Sequence, residues 1–599
     1  MNKEDSMKKL MTGNEALVQG AWEAGVKFAS AYPGTPSTEI LESMTERKEV
    51  KSEWAPNEKV AIEAAIGASI AGLRSMASMK HVGVNVAADP LFTYAYTGVT
   101  GGFVLITADE PGQHSSQNEQ DNRNYAKAAK IPMLEPATSQ ESKDMMKEAF
   151  TISETYDTPV LVRVTTRVCH SKSIVECEDR VEADFSDYTK NVKKYITVPA
   201  VAKELRKKVE QRMIDLADYS EKSPFNFIKD NGKKIGVISS GVCYSYAREV
   251  FGEEANYLKL GFTNPLPDKM ISEFCKDLDT IYVLEENDPY IEERVKMLGY
   301  IPHGNDTFPP YGELTPDVIR KSLYGSELPT ISYDKDMVIS RPPTLCAGCP
   351  HRGIFYDLGK RKNVMVAGDI GCYTLGFSEP YNAMDFNICM GAAFSAGHGA
   401  QIAFDLKNED KRVVSVLGDS TFFHTGINSL IEVLYNQSKT VNVILDNRIT
   451  GMTGHQENPG SGRHADLSDA PMMDIEAIVR ALGAKNVRTI DPNDLTLVKE
   501  TFDWALRLDE PSVIITRWPC VLKKLSQHDK EEFQDVFKDK YKVDSDLCIG
   551  CKLCIKAGCP ALSYEPTTKK TIIDRNQCVG CGVCAQLCTK QEAIVKEER

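Results

Sequence analysis

The sequence predicts a multidomain α/β protein: doubly wound parallel sheets followed by a small cysteine-rich α+β unit. Three observations carry that reading. Extended apolar runs alternate with helical patterns over most of the chain, the rhythm of a layered α/β fold. Several of these runs stop at glycine or polar turns, where parallel sheets carry ligands. Eight cysteines then crowd the last sixty residues at metal-ligand spacing. At 599 residues the length suggests about four domains, and the boundaries fall near 1–185, 186–232, 233–330, 335–525 and 540–599.

The first segment opens with KFASAYPGTPSTEI, an apolar run entering a Pro/Gly turn at Tyr32 to Pro36, with a helix started by Ser37 or Thr38. After Asn57 the small residues Ala61, Ala64, Ala65, Gly67, Ala68, Ala71 and Gly72 suggest a helix able to pack closely, with Glu58 at its start. Phe103 to Thr107 reads as a buried strand leading into the polar loop DEPGQHSSQNEQDNR, a solvated loop or a ligand loop. TPVLVRVTTRV supplies a closing strand. Residues 186–232 are Lys-rich with weak apolar periodicity, a linker with an exposed helix. KKIGVISSGVCYSYAREV opens the 233–330 segment as strand, glycine turn and helix. No catalytic constellation stands out there, and Cys243 and Cys275 read as small buried hydrophobes.

The 335–525 segment holds the densest pattern. The strand VVSVL ends in Gly418-Asp419-Ser420, and the strand VNVIL ends in Asp446-Asn447. The spacing leaves one helix between two parallel strands, so both polar turns lie on the carboxyl edge of one sheet. Asp419 and Asn447 can then share a hard octahedral cation such as Mg2+, beside a helix N-terminus suited to a diphosphate. Gly-Asp-Ser alone would pass for an ordinary helix cap; the second turn at this distance makes the stronger case.

The tail reads CIGCKLCIKAGC, and eighteen residues later CVGCGVCAQLC. Three thiolates at C-x2-C-x2-C spacing surround one corner of an iron–sulfur cube, and the remote fourth cysteine closes the other half's cluster. Cys548, Cys551, Cys554 and Cys588 are thus assigned to one 4Fe-4S cluster, and Cys578, Cys581, Cys584 and Cys559 to the other. Zinc rarely uses this double spacing, and the start of the chain lacks the apolar region of an export signal that would favour disulfides. The first half carries four residues before its last cysteine where three are usual, and Thr589 replaces the usual proline. The net charge of −14 speaks against non-specific nucleic-acid binding. No apolar run is long enough to span a bilayer. Cytoplasmic location and a reducing compartment are expected.

These motifs together resemble the 2-oxoacid:ferredoxin oxidoreductases. GDS followed by DN is similar to their thiamine diphosphate (ThDP) signature, YPGTPS at Tyr32 to Ser37 is similar to their YPITPSS turn, and the tail looks like a two-cluster ferredoxin. The order of the parts looks like the large (alpha) subunit of the indolepyruvate-type members. The resemblance covers nearly the whole chain outside 186–232. It implies a pyrimidine-binding domain at 1–185, a transketolase C-terminal-like α/β domain at 233–330, a diphosphate and Mg2+ domain at 335–525 and a ferredoxin-like α+β domain at 540–599.

For the site, the resemblance implies that Glu58 exchanges a proton with the aminopyrimidine ring, although by position alone it would pass for a helix-start acid. Thr35 is expected to bond the substrate carboxylate or keto oxygen. Asp419, Asn447 and the Ile449 carbonyl are expected on Mg2+, with Gly418, Ser420 and Thr453 on the diphosphate. Cys346, Cys349, Cys372 and Cys520 match the four positions of a third, proximal 4Fe-4S cluster; a zinc site or unrelated buried thiols are the alternatives. Cys169, Cys177, Cys243, Cys275 and Cys389 fall in no pattern, and His81, His114 and His455 stay outside the catalytic set.

The implied reaction is ThDP- and coenzyme A-dependent oxidative decarboxylation of an aryl pyruvate such as indolepyruvate, with electrons leaving through the clusters to ferredoxin. A pyruvate or branched-chain oxidoreductase is the near alternative, a non-redox ThDP decarboxylase the remoter one. A smaller beta subunit carrying the family's gamma-type domain is expected as partner in an α2β2 assembly.

Overall fold

The computed structural model describes residues 7–182, 188–326, 331–534 and 536–597. The chain gathers into two compact units, Met1–Asp334 and Lys335–Arg599. The finer five-part division is a proposal laid over these two.

The first unit is built on a seven-stranded sheet. Its order is Phe262–Asn264, Met133–Leu134, Val160–Thr165, Phe103–Asp109, Ser75–Lys80, Phe28–Ala31 and Lys51–Trp54. All neighbours run parallel except Phe262–Asn264, which pairs antiparallel with Met133–Leu134. Phe103–Asp109 and Val160–Thr165 are buried at every residue, as strands covered on both faces must be.

The edge strand Phe262–Asn264 comes from the 233–330 segment, so that segment is sewn into the first sheet. The segment's four-stranded sheet runs Thr280–Leu284, Ile235–Ser240, Asn256–Leu260, Phe227–Lys229, and the last strand comes from the 186–232 stretch expected to be a linker. Arg123, fully buried, ties the two sheets: it bonds Asp121, Glu285 (2.6 Å) and the Glu286 carbonyl (2.9 Å). Cys243 and Cys275 are buried in hydrophobic cores.

Two local expectations are refined. The Lys-rich helix, Pro199–Ser220, is wet on one side only: Leu205, Val209, Arg212 and Leu216 are buried along the other. Charged neighbours masked that stripe, and Arg212 turns its guanidinium inward to the Ala95 carbonyl at 2.7 Å. In the helix Glu58–Ile70 the buried stripe is Ala61, Ile62, Ala65 and Ser69, while open space surrounds Gly67. Close packing is therefore confined to one face.

The second unit centres on a five-stranded, wholly parallel sheet: Val364–Ala367, Arg412–Gly418, Val441–Asp446, Ser512–Arg517, Asn486–Ile490. The cysteine-rich tail adds two small antiparallel pairs, Tyr541–Val543 with Ile594–Lys596 and Leu562–Glu565 with Lys570–Ile573. It docks on the sheet domain through Ala557, Val583 and Leu587 against Tyr356 and Leu495. Gln586 accepts from Leu495 N (2.9 Å) and donates to the Asn493 carbonyl (2.7 Å). Among the described residues no helix is long and apolar enough to cross a membrane.

Candidate functional site

In the first unit, the strands Phe28–Ala31, Ser75–Lys80 and Phe103–Asp109 are parallel neighbours, so the turns that follow them emerge along one edge. The turn after Ala31 is held by Gly34 N donating to Thr38 Oγ1 (3.0 Å), Ser37 Oγ to the Gly34 carbonyl (2.8 Å) and Asn14 Nδ2 to the Pro36 carbonyl (2.8 Å). Thr35, half-buried, is thereby fixed at the edge. Glu58 is the first residue of its helix and 5% exposed; Asn57 caps that helix by accepting from Val60 N at 2.8 Å. Glu58 lies hard against Gly83, where an added Cβ would meet its Oε1 at 2.8 Å.

Lys80, which sequence reasoning missed, ends the neighbouring strand. Burial pulls its ammonium pKa down, against the attraction of Glu110 and Glu58. Its stem packs on Gly34 of the turn, so Thr35's turn, Lys80 and Glu58 form one neighbourhood. A lysine closing the buried run SMASM was the available signal. The polar loop folds back on Glu110, which accepts from Ser115 (2.9 Å) and Ser116. His81 is buried, its Nε2 3.2 Å from the Asn118 carbonyl.

In the second unit, the strands carrying Gly418 and Asp446 lie side by side, with Gly418 opposite Leu445. Both polar turns therefore share the carboxyl edge. Asp419 is 2% exposed and its carboxylate accepts from Ser420 N (2.7 Å) and Ile449 N (3.1 Å). The same Ile449 N donates to Asn447 Oδ1 at 3.1 Å, so one backbone group pins both expected ligands. Burial, with Asp446 beside it, holds the Asp419 carboxyl up to about 7. Crowded, buried oxygen donors of this kind fit a hard divalent cation. Ser420 Oγ accepts from Thr450 (2.9 Å), and Thr453 donates to Gln456 (2.5 Å). Gly418 has no room for a side chain: a Cβ would lie 2.7 Å from the Tyr373 ring.

The expected proximal thiols gather at this same edge. Cys520 N donates to the Asn447 carbonyl at 3.0 Å, and Cys349 N to the Cys346 carbonyl at 3.0 Å, closing the CAGC turn. Burial pushes the Cys349 thiol up, and the neighbouring Cys520 and Cys372 sulfurs push the same way. Cys372 is pushed up to about 11 by burial, then by Cys520 and Cys346. Cys520 is raised by burial, then by Cys346 and Asp419. A thiol set and a carboxylate that influence each other are near neighbours.

His351, directly after CAGCP and also missed, joins the two: its Nε2 lies 3.3 Å from Asn447 Nδ2. Burial, and then Arg352, lower it to about 4, so the imidazole is neutral and can accept that bond. The signal was a histidine abutting a cysteine motif.

In the tail, Cys548, Cys551, Cys554 and Cys588 line one small cavity. Burial pushes the Cys581 thiol up to about 11, with Cys559 and Cys578 adding to it, and Cys584 rises beside Cys581, Cys559, Cys578 and Cys554. Cys559, Cys578, Cys581 and Cys584 lie within electrostatic reach of one another, and Cys554 of the first set lies near Cys584. Among the described residues no three His, Cys, Asp or Glu groups close on a single ion position; the thiols of the first foursome surround a shared space, which suits a cube of irons.

Comparison with known proteins places the chain in a family. A family described as "Pyruvate flavodoxin/ferredoxin oxidoreductase, thiamine diP-bdg" matches residues 19–214, and "Thiamine pyrophosphate enzyme, C-terminal TPP binding domain" matches 369–516. The chain is similar to "Indolepyruvate oxidoreductase subunit IorA" of Pyrococcus abyssi, 39% identical over 97% of this chain and 95% of that one. The protein of the same name from Methanothermobacter thermautotrophicus is 38% identical over 98% and 97%. A solved 2-oxoglutarate:ferredoxin oxidoreductase from Magnetococcus marinus aligns at 17% identity over 52% of this chain and 64% of that one, with a TM-score of 0.44. At this identity over nearly the whole of both chains, the chain belongs to the IorA subunit family of indolepyruvate oxidoreductases, thiamine-dependent 2-oxoacid oxidoreductases.

Proposed function

We propose that this chain is the ThDP-binding and electron-carrying subunit of an enzyme that oxidatively decarboxylates indolepyruvate and related aryl pyruvates to the acyl-CoA and CO2, passing electrons to ferredoxin. The observation that supports the reading is the backbone bond from Cys520 to Asn447: a cluster held by Cys520 would then lie beside a diphosphate held by the Asn447 turn, close enough to accept electrons from an oxidation there. The substrate follows the names of the relatives.

Bound ThDP would supply the sink for the carbanion that decarboxylation leaves. Asp419, Asn447 and the Ile449 carbonyl would hold Mg2+, and Gly418, Ser420 and Thr453 would face the diphosphate. His351 keeps Asn447 oriented. Glu58, nearly out of water, would hold or release a proton at the pyrimidine ring nitrogen, a general acid/base role. Thr35, fixed by its turn, would hydrogen-bond the substrate carboxylate or keto oxygen, with Lys80 adding positive charge nearby. Cys346, Cys349, Cys372 and Cys520 would carry the proximal 4Fe-4S cluster; Cys559, Cys578, Cys581 and Cys584 the next; Cys548, Cys551, Cys554 and Cys588 the outermost, with Cys551 exposed. The partner would be a smaller beta subunit in an α2β2 assembly, in the cytoplasm.

The test uses the chain co-expressed with its partner subunit. ThDP- and CoA-dependent dye reduction is compared for indolepyruvate, phenylpyruvate, pyruvate and 2-oxoisovalerate. The highest kcat/KM is expected with the aryl pyruvates; a preference for pyruvate or 2-oxoisovalerate would refute the substrate assignment, and aldehyde release without dye reduction would refute the redox one. Iron analysis should give about twelve irons per chain, and about eight would remove the proximal cluster.

A further inference from the structure

Arg352 lies between two of the thiol foursomes and is 1% exposed. All five of its N–H groups are engaged, and every acceptor is neutral. Nε donates to the Cys346 carbonyl (3.0 Å), and Nη2 to the Cys346 (2.7 Å) and Leu345 carbonyls. Nη1 donates to Tyr381 Oη (2.7 Å), the Ala557 carbonyl (3.2 Å) and the Gly558 carbonyl. Tyr381 in turn donates to the Ala557 carbonyl at 2.7 Å. One guanidinium thus grips the CAGC loop with one side and the loop before Cys559 with the other.

That second loop is where the first tail block departs from the usual spacing, with four residues between Cys554 and Cys559. The extra length lets the chain turn at Gly558, whose φ is +63°, and aim two successive carbonyls at Arg352. A Cβ there would lie 2.8 Å from Tyr381 Oη, so glycine is required both by the backbone and by the close approach.

Among the described residues no carboxylate pairs with Arg352. Carbonyl dipoles satisfy its donors without cancelling its charge, and an uncompensated buried cation is costly. The guanidinium reaches the backbone at one cysteine on each side, the Cys346 carbonyl directly and the Gly558 carbonyl next to Cys559.

We propose that Arg352 is a positioning residue for electron transfer: its buried charge is balanced by the thiolate-bound clusters on both sides, raises the reduction potential of each, and holds the two in fixed register. Each cluster gains one negative charge when reduced by one electron, so a nearby fixed cation favours the reduced form. This rests on the cluster assignment of the two foursomes.

The test is a redox titration followed by EPR on the complex with its partner subunit, comparing wild type with Arg352→Gln, Arg352→Lys and Tyr381→Phe. In Arg352→Gln the proximal and Cys559-linked signals should move to lower potential, with at least a tenfold smaller reduced-to-oxidised ratio at fixed potential, equal to 59 mV for a one-electron couple. The signal of the Cys548 set should stay in place. Arg352→Lys should recover most of the shift, and Tyr381→Phe, which keeps the charge, should move neither potential. If Arg352→Gln loses iron, Lys carries the decision: retained iron with near-wild-type potentials supports the proposal. Unchanged potentials in Arg352→Gln with full iron, or equal shifts in Gln and Lys, would overturn it. Wild-type protein with no cluster at either foursome would instead defeat the underlying assignment, a distinguishable result.

Discussion

His351 shows how much a single side chain can settle at the diphosphate edge. It is buried and neutral, and its ring nitrogen meets the Asn447 amide. A group that orients a metal ligand typically governs affinity by about 10–100-fold. His351→Ala should therefore weaken Mg2+ by that factor, read as the Mg2+ concentration that restores ThDP binding; unchanged affinity would show that Asn447 is held by other means. Glu286 offers a pH test. Burial raises its carboxyl to about 7 from an ordinary 4.5, against the Leu314 N–H (3.0 Å) and the pull of Arg163 and Arg123, and among the described residues no cation pairs with it. Between about 4.5 and about 7 the folded chain keeps a proton that the unfolded chain has released, so stability must fall as pH rises through that window. Glu286→Gln should flatten thermal stability against pH there, by at most about 1.4 kcal/mol per pH unit; parallel profiles would contradict this. Glu286 gave no signal in the sequence, and His351 only that it abuts a cysteine motif. Asp419 and Asn447 stood out, because each follows an apolar strand at a spacing that only one crossover satisfies. His351 and Arg352 act through partners about 100 and 200 residues away, and no local pattern encodes such a meeting.

At the scale of elements, the helices Glu58–Ile70 and His81–Thr97 are set by what touches between them. Gly83 gives Glu58 its space, and an added methyl would overlap Oε1 and Cγ. Gly83→Ala should cost about 1–3 kcal/mol through overpacking and, by displacing Glu58, reduce kcat more than it raises KM. Wild-type kcat in a folded variant would separate Glu58 from catalysis. Strand and helix order was readable from period and turn residues: Phe103–Asp109, Val160–Thr165, and the pair ending at Gly418 and Asp446 lie where the apolar runs put them. The three-residue strand Phe262–Asn264 was not, because such a short strand has no period and its partner, Met133–Leu134, is far back in the chain. The Lys-rich helix was half-legible: its charges are on the surface as expected, while its buried stripe is thinner than an ordinary amphipathic pattern.

For the whole molecule, what matters is that the second unit contains both an oxygen-donor edge and all twelve candidate cluster cysteines. The cysteine spacing groups Cys588 with Cys548, Cys551 and Cys554, and these four line one small cavity. The placement of Cys520 against Asn447 needed the fold, since strand order within the sheet brings Ser512–Arg517 beside Val441–Asp446. The most direct measurement is freeze-quench EPR after mixing the complex with indolepyruvate, ThDP and Mg2+, for wild type and Asp419→Ala. The account predicts that substrate reduces the iron–sulfur signals in wild type, while the same signals in Asp419→Ala appear only with dithionite. Equal substrate-driven reduction in both proteins, or a wild type whose intact clusters stay oxidised with substrate, would contradict it.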